Sequence, residues 1–252
     1  MIKRMSALIW LRFKLFTVNK AILFEIISPF IFTYFYKYLY SLQNISTQNS
    51  ELLGFLIPFS LSIGIGIPII AILSEEREKN SFSALMLSGV RYFEYLVSLI
   101  IVSLFFSLFI ITIIPLILNS KVSILNFNYF FSSIFMAISV CLISLIAGLL
   151  AKTQVMGQVI SLPVVFITSF LPMLATINNT CKVIVNYSFM SLFYKYIQRP
   201  NFILSNDLKS LAIVLLWIVL LITINYLIVQ IYRKEFLKLW LVLILYMKKM
   251  SS

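Results

Sequence analysis

The chain has 252 residues, 62% hydrophobic and 11% charged, with a mean hydropathy of +1.04 and a formal net charge of +12. Soluble domains run at about 45–50% apolar and about 25% charged, and a soluble fold of this length lacks the interior to hide so much apolar surface. An ordinary soluble enzyme, a disordered chain and a disulfide scaffold are excluded, and a polytopic integral membrane protein is expected.

The residue inventory narrows the chemistry. There is no His, so zinc sites of the H-E-x-x-H kind and His-dependent triads are impossible. Cys141 and Cys181 are the two cysteines and Asp207 the single Asp, which leaves no readable metal cluster, disulfide framework or aspartate pair. The chain contains no G-x-x-x-x-G-K-[ST]. ATP hydrolysis at a P-loop is therefore not expected of it, and no cofactor is expected on it.

In chain order, the first element is a helix over residues 1–20. Ile2, Met5, Ile9, Phe13 and Phe16 recur at helical spacing, while Lys3, Arg4, Arg12 and Lys14 lie mostly away from that stripe. The basic residues are interleaved with bulky apolar ones, unlike the cap and core of a cleavable signal peptide. This predicts a helix lying in the inner interface, its cations near anionic headgroups.

Six apolar runs follow, 21–42, 52–73, 95–118, 129–150, 157–177 and 210–232. Each is about the 20 residues a spanning helix needs, and none shows the two-residue alternation of barrel strands. An all-α integral membrane fold with six transmembrane helices is predicted. With the N-terminus inside, fourteen of the 20 Lys and Arg residues fall on the cytoplasmic side, so both termini are expected there. The charges flank spans and form no single stripe, so the lipid bilayer is an expected partner and nucleic acid is not.

The first span carries Glu25 near its start and Lys37 near its end. Each opposes the local end of the helix dipole and reads first as an interfacial anchor. No chain of acids suggests an ion relay, which counts against gradient-driven transport. The second span is rich in breakers and small residues, from Gly54 and Pro58 through Ser60, Ser62, Gly64 and Gly66 to Pro68. The fifth holds Phe166, Phe170 and Met173 at i, i+4, i+7, with Pro163 and Pro172. Candidate packing or pathway residues are thus Phe55, Pro58, Phe59, Gly64, Gly66, Phe166, Phe170 and Met173. Gly64 and Gly66 are expected to let another helix approach closely, including one from a second membrane subunit.

The external segment 178–209 is long and has Val183, Tyr187, Met190, Tyr194 and Ile197 at helical spacing, which predicts a short re-entrant helix. The cytoplasmic tail 233–252 contains an apolar run over 239–247, too short to span. It is expected to lie along the inner surface as an interfacial helix or to prolong the sixth span.

The loop 74–92 joins spans two and three. Glu75, Glu76, Arg77, Glu78 and Lys79 are consecutive charges, read as the second helix running on into water. Asn80 and Ser81 are suited to cap a new helix with their side-chain oxygens. Phe82, Leu85 and Met86 then share one apolar face, and Gly89 suits the C′ position that ends a helix. A short amphipathic helix on a charged stem is expected, either resting on lipid or offering its apolar face to a cytoplasmic protein.

At this segment the chain resembles the ABC-2 type permease family. Those proteins have six membrane helices and, after the second, a stretch of the form E-x-E-x-[GN]-[ST]-x-x-x-L followed by a Pro or Gly turn. The present chain has Glu76-Arg77-Glu78-Lys79-Asn80-Ser81-Phe82-Ser83-Ala84-Leu85, then Gly89. It departs in having Asn80 where Gly is common and no Pro near Gly89. The topology, the interfacial first helix and the long segment between spans five and six are also similar. The Phe-, Ile-, Asn- and Lys-rich composition looks like small exporter subunits of low-GC Gram-positive bacteria.

The resemblance implies a multi-pass permease subunit of an ATP-driven exporter in the plasma membrane. It would carry no ATPase site of its own. Its partners would be a cytoplasmic ABC ATPase, two copies per complex and holding ATP and Mg, and a second membrane subunit, identical or similar. Glu75, Glu76, Arg77, Glu78, Asn80, Ser81, Phe82, Leu85, Met86 and Gly89 would form the ATPase-coupling segment. An amphipathic or hydrophobic substrate, such as a peptide, would suit the apolar walls. The competing expectation is a membrane immunity or sensor protein for an antimicrobial peptide, with no transport.

Overall fold

The computed structural model describes residues 2–42, 50–119, 126–198 and 207–250. Helices α1 (Ile2–Val18), α2 (Lys20–Leu42) and α3 (Ser50–Leu61) lead into a π-helical turn (Ser62–Gly66) and α4 (Ile67–Glu78). After these come α5 (Ser81–Leu87), α6 (Tyr92–Ile117), α7 (Phe127–Leu150), α8 (Gln154–Ile177), α9 (Asn179–Asn186), α10 (Ser191–Gln198) and α11 (Leu208–Met250). No strand occurs among the described residues. Among the described residues, six helical stretches are long and apolar enough to cross a membrane: Lys20–Leu42, Leu52–Glu78, Tyr92–Ile117, Phe127–Leu150, Gln154–Ile177 and Leu208–Ile231. The chain is an all-α, multi-pass membrane protein.

The second span is the axis of the fold. Within its apolar window 78% is enclosed, against 17% in the sixth span, so the other helices pack around it. Its lower half, α4, lies against α7 and α8, and its upper half, α3, against α8 and α6. The π-helical turn falls between Pro58 and Pro68. Pro68 lacks the N–H that an α-helical ladder would aim at the Gly64 carbonyl, and a local π-turn is one way a helix absorbs such a break. The Ser62 hydroxyl donates to the Pro58 carbonyl at 2.8 Å, satisfying a backbone acceptor inside the membrane.

Gly64 and Gly66 are buried within one chain. A Cβ on Gly64 would meet Ile110 Cδ1 at 2.7 Å and Pro29 Cγ at 3.3 Å. A Cβ on Gly66 would meet Ser144 Oγ at 2.9 Å. These glycines let α2, α6 and α7 close on the axis, the small-residue packing membrane helices favour. The close helix approach expected of Gly64 and Gly66 is thus made between helices of one chain.

Two expectations change. In α1 the enclosed side chains are Leu8, Arg12 and Phe16, while Trp10, Leu11 and Val18 are exposed. Arg12 therefore faces inward instead of toward headgroups; Lys3, Arg4 and Lys14 remain exposed. Among the described residues of the segment 178–209 there are two short helices, α9 and α10, where one was expected. Val183 and Tyr187 are exposed whereas Met190 and Tyr194 are buried, because the turn between the helices rotates the stripe onto two faces. The apolar run 239–247 continues the sixth span within α11.

Candidate functional site

The charged stem at the end of α4 is tied to most of the helices around it. Glu76 accepts both guanidinium nitrogens of Arg12 in a bidentate pair, Nη1 on Oε1 and, at 3.1 Å, Nη2 on Oε2. It also accepts the hydroxyl of Tyr95 on α6. Arg12 has no exposed side-chain surface and Glu76 keeps 13%, and the Arg12 guanidinium lies 4.5 Å from the centre of the Tyr95 ring. Burial alone would weaken the charge of Arg12; Tyr95 and Glu76 outweigh it and hold its pKa above the ordinary arginine value.

The next two residues reach elsewhere. Arg77 donates to the carbonyls of Leu149 and, at 3.2 Å, Ala151, at the C-terminal end of α7. A cation there satisfies backbone acceptors left over at a helix end and complements its dipole. Glu78 accepts the Gln154 backbone N–H at 2.6 Å, at the start of α8, the matching arrangement for an anion. Three consecutive side chains thus bind α4 to α1 and α6, to α7, and to α8. The expectation that this stem is simply solvated holds for Lys79, which is exposed and pairs with Glu75 at 2.5 Å, and fails for Glu76 and Arg77.

On this stem sits α5. Asn80 occupies its N-cap position with φ 55 and makes no side-chain cap hydrogen bond. The expected cap is replaced by a left-handed turn, a conformation Gly adopts freely and Asn tolerates better than most residues. The Ser81 hydroxyl does not cap α5 either; it donates back to the Glu76 carbonyl at 3.1 Å. At the far end Gly89 has φ +88. Its N–H bonds the Met86 carbonyl and the Val90 N–H bonds the Leu85 carbonyl, forming a Schellman motif. Arg4 of α1 donates to the Gly89 carbonyl at 3.0 Å, a second tie between α1 and this segment.

The apolar face of α5 is turned inward. Phe82 packs edge-on against Tyr92 and Tyr95, with ring centroids 5.4 and 4.9 Å away. Leu85, Met86 and Val90 are half-buried against the core. The residues left outward are Ala84, Leu87 and Ser88, with Leu87 61% exposed. Phe82, Leu85 and Met86 therefore seat α5, and Leu87 is its large apolar side chain left exposed. Sequence reasoning missed Leu87, Arg12 and Tyr95. One signal was available for Arg12: it lies four residues from both Leu8 and Phe16, in line with apolar side chains.

Of the pathway candidates, Phe55, Phe59, Phe166 and Phe170 join one aromatic series. Phe166 stacks on Phe170 at 4.8 Å, Phe170 meets Phe55 at 5.8 Å, and Phe55 stacks on Phe59 at 5.4 Å. Pro58 is buried in α3 and does not join them. Phe55, Phe170 and Met173 line a cavity of about 630 Å³ at the end opposite α5, together with Tyr194 of α10 and Lys182 of α9. Lys37, at the same end, donates to the Ile117 carbonyl at 2.6 Å, as expected of a cation near a helix terminus. Glu25 is half-buried at the α5 end, facing α4 and α8. No group of residues suited to a metal ion occurs among the described residues.

Searches against family models, curated proteins and solved structures return no match for this chain.

Proposed function

We propose that this chain is the membrane-spanning subunit of an ATP-driven, ABC-type exporter. It would move an amphipathic or hydrophobic substrate out of the cell by alternating access. Energy would come from a separate cytoplasmic ATPase that holds ATP and Mg in two copies, working with a second membrane subunit of the same or similar kind. The observation that carries the reading is the seating of α5. A short helix projects beside the membrane spans, and its foundation is a charged stem bonded to four neighbouring helices.

A force applied to the outer face of α5 would reach α4 through the chain itself. From α4 it would pass to α1 and α6 through Glu76, to α7 through Arg77 and to α8 through Glu78. Hydrogen-bonded and ionic links of this kind move elements together, whereas apolar contacts let helices slide. A nucleotide-dependent closure of the ATPase can bias the membrane helices only through contacts that differ between its states. Leu87, Ala84 and Ser88 are the side chains placed to make them.

The test is purification of the tagged chain with candidate ATPases, followed by substrate-dependent ATPase measurements in lipid nanodiscs. Leu87→Asp is expected to release the ATPase and leave the membrane subunit folded. Retention of a stimulated ATPase by Leu87→Asp would overturn the role of α5, and failure of the wild-type chain to retain any P-loop ATPase would overturn the exporter reading.

A further inference from the structure

The cavity of about 630 Å³ at the end opposite α5 lies within the range of about 300–1,000 Å³ that holds small organic ligands. Its walls come from α2, α3, α8, α9 and α10. One side is aromatic and continuous across three helices. Tyr36 meets Phe55 edge-on with ring centroids 5.7 Å apart, and Phe55 meets Phe170 at 5.8 Å. Tyr40 and Met173 extend this surface, and Met173 is 46% exposed. Rings and a thioether offer large, adaptable contact to an aliphatic body.

A single charge marks the cavity. Lys182, in the first turn of α9, is the charged residue of the lining, and no carboxylate shares the lining with it. Its ammonium has no ion pair or hydrogen bond among the described residues. Other lysines at this end are occupied. Lys37 donates to the Ile117 carbonyl, Lys195 pairs with Asp207 at 3.2 Å, and Lys209 lies over the Tyr187 ring. The hydroxyls of Tyr36 and Tyr40 also make no hydrogen bond among the described residues. An ammonium is a donor without acceptor capacity and a phenol can donate as well, and the start of α9 adds the positive end of a helix dipole. These groups together favour an anion.

We propose that this cavity binds a single-chain anionic amphiphile, its head group at Lys182 and its chain along Tyr36, Phe55 and Phe170. The aromatic wall holds the chain, and the uncommitted cation separates this ligand from neutral amphiphiles, which gain nothing from it, and from cationic ones, which it repels. If the exporter reading above holds, the cavity receives anionic amphiphiles at the far end of the pathway. That further step rests on the exporter reading, whereas the binding does not.

The experiment uses the full chain in zwitterionic phosphatidylcholine nanodiscs, without ATPase, and radiolabelled dodecyl phosphate as the probe, with empty nanodiscs subtracted. Saturable binding is expected. Lys182→Gln changes an exposed side chain and should weaken the probe about fivefold, the size of one good ion pair at an exposed lysine, while leaving dodecanol unaffected. Lys209→Gln, which removes a nearby charge outside the lining, is expected to change neither. Met173→Trp fills the cavity from α8 and is expected to abolish saturable binding. Phosphatidylglycerol added to the nanodiscs, anionic but two-chained, is expected not to displace the probe. No saturable binding in wild type would overturn the proposal, as would equal affinity in wild type and Lys182→Gln. An equal loss in Lys182→Gln and Lys209→Gln, meaning surface charge alone, would overturn it too. So would retained binding in folded Met173→Trp, or full displacement by phosphatidylglycerol, which would make the occupant a bilayer lipid. If Met173→Trp fails to fold, the two lysine variants decide. Binding that passes these tests without altering the activity of any co-purified ATPase would leave the site standing and count against the exporter step alone.

Discussion

Arg12 on the first helix and Glu76 at the foot of the second span, 64 positions apart, form a bidentate ion pair in which the arginine side chain is wholly enclosed. The pair is completed by the Tyr95 hydroxyl on the same carboxylate. Charges on a membrane surface helix ordinarily face water and headgroups. Here one of them is withdrawn to hold that helix against the stem of α5.

Removing one member of this pair should be severe. Arg12→Met is expected to cost about 3–5 kcal/mol, the range for leaving a buried charge without its partner. Glu76→Leu, which strands the arginine, should do the same. The double variant Arg12→Met, Glu76→Leu should be more stable than the worse single variant, because neither charge remains buried. Thermal unfolding in detergent across the four proteins checks this, and additive losses would show that the two residues act independently.

Variants of α5 should separate seating from docking. Phe82→Ala opens space beside Tyr92 and Tyr95, and is expected to lower stability by about 1–3 kcal/mol, below the about 3–5 kcal/mol of a fully buried Phe. Leu87→Asp lies on the exposed face and should stay within about 0.5 kcal/mol of wild type. Unfolding curves for the two single variants decide it. The reverse order would mean that α5 packs with its other face inward.

Gly64→Leu is expected to destabilise the single chain. The new side chain would collide with Ile110 and Pro29, and overpacking of this kind costs about 1–3 kcal/mol or more. A contact between copies would respond differently, with weakened cross-linking and an unchanged unfolding midpoint. Measuring both on the same preparation distinguishes the two.

The cysteines report on packing and sidedness together. Cys141 is enclosed mid-way along α7, and Cys181 on α9 is half-buried. A thiol reagent should modify Cys181 in the native protein and Cys141 only after denaturation. With an impermeant reagent on intact cells, labelling of Cys181 is expected from the charge distribution. Labelling only after permeabilisation would reverse the orientation.

The sequence by itself determined the spans, the short helix after the second of them and the glycine that ends it. These depend on length, hydropathy and local backbone preference, all properties of neighbouring residues. It also singled out Glu76, Arg77 and Glu78 as a group, since charges beside an apolar run are conspicuous. Only the tertiary structure decided where those side chains go. Their partners, Arg12, the carbonyls of Leu149 and Ala151, and the Gln154 N–H, are 64 to 76 positions away, and two of the three sets are backbone atoms that every sequence contains. The same limit applies to the face of α5 and to Gly64 and Gly66. In water an apolar stripe must face protein, but beside a bilayer it can face lipid, a partner or its own core at similar cost. Periodicity therefore identified which residues share a face, and packing alone decided what that face meets.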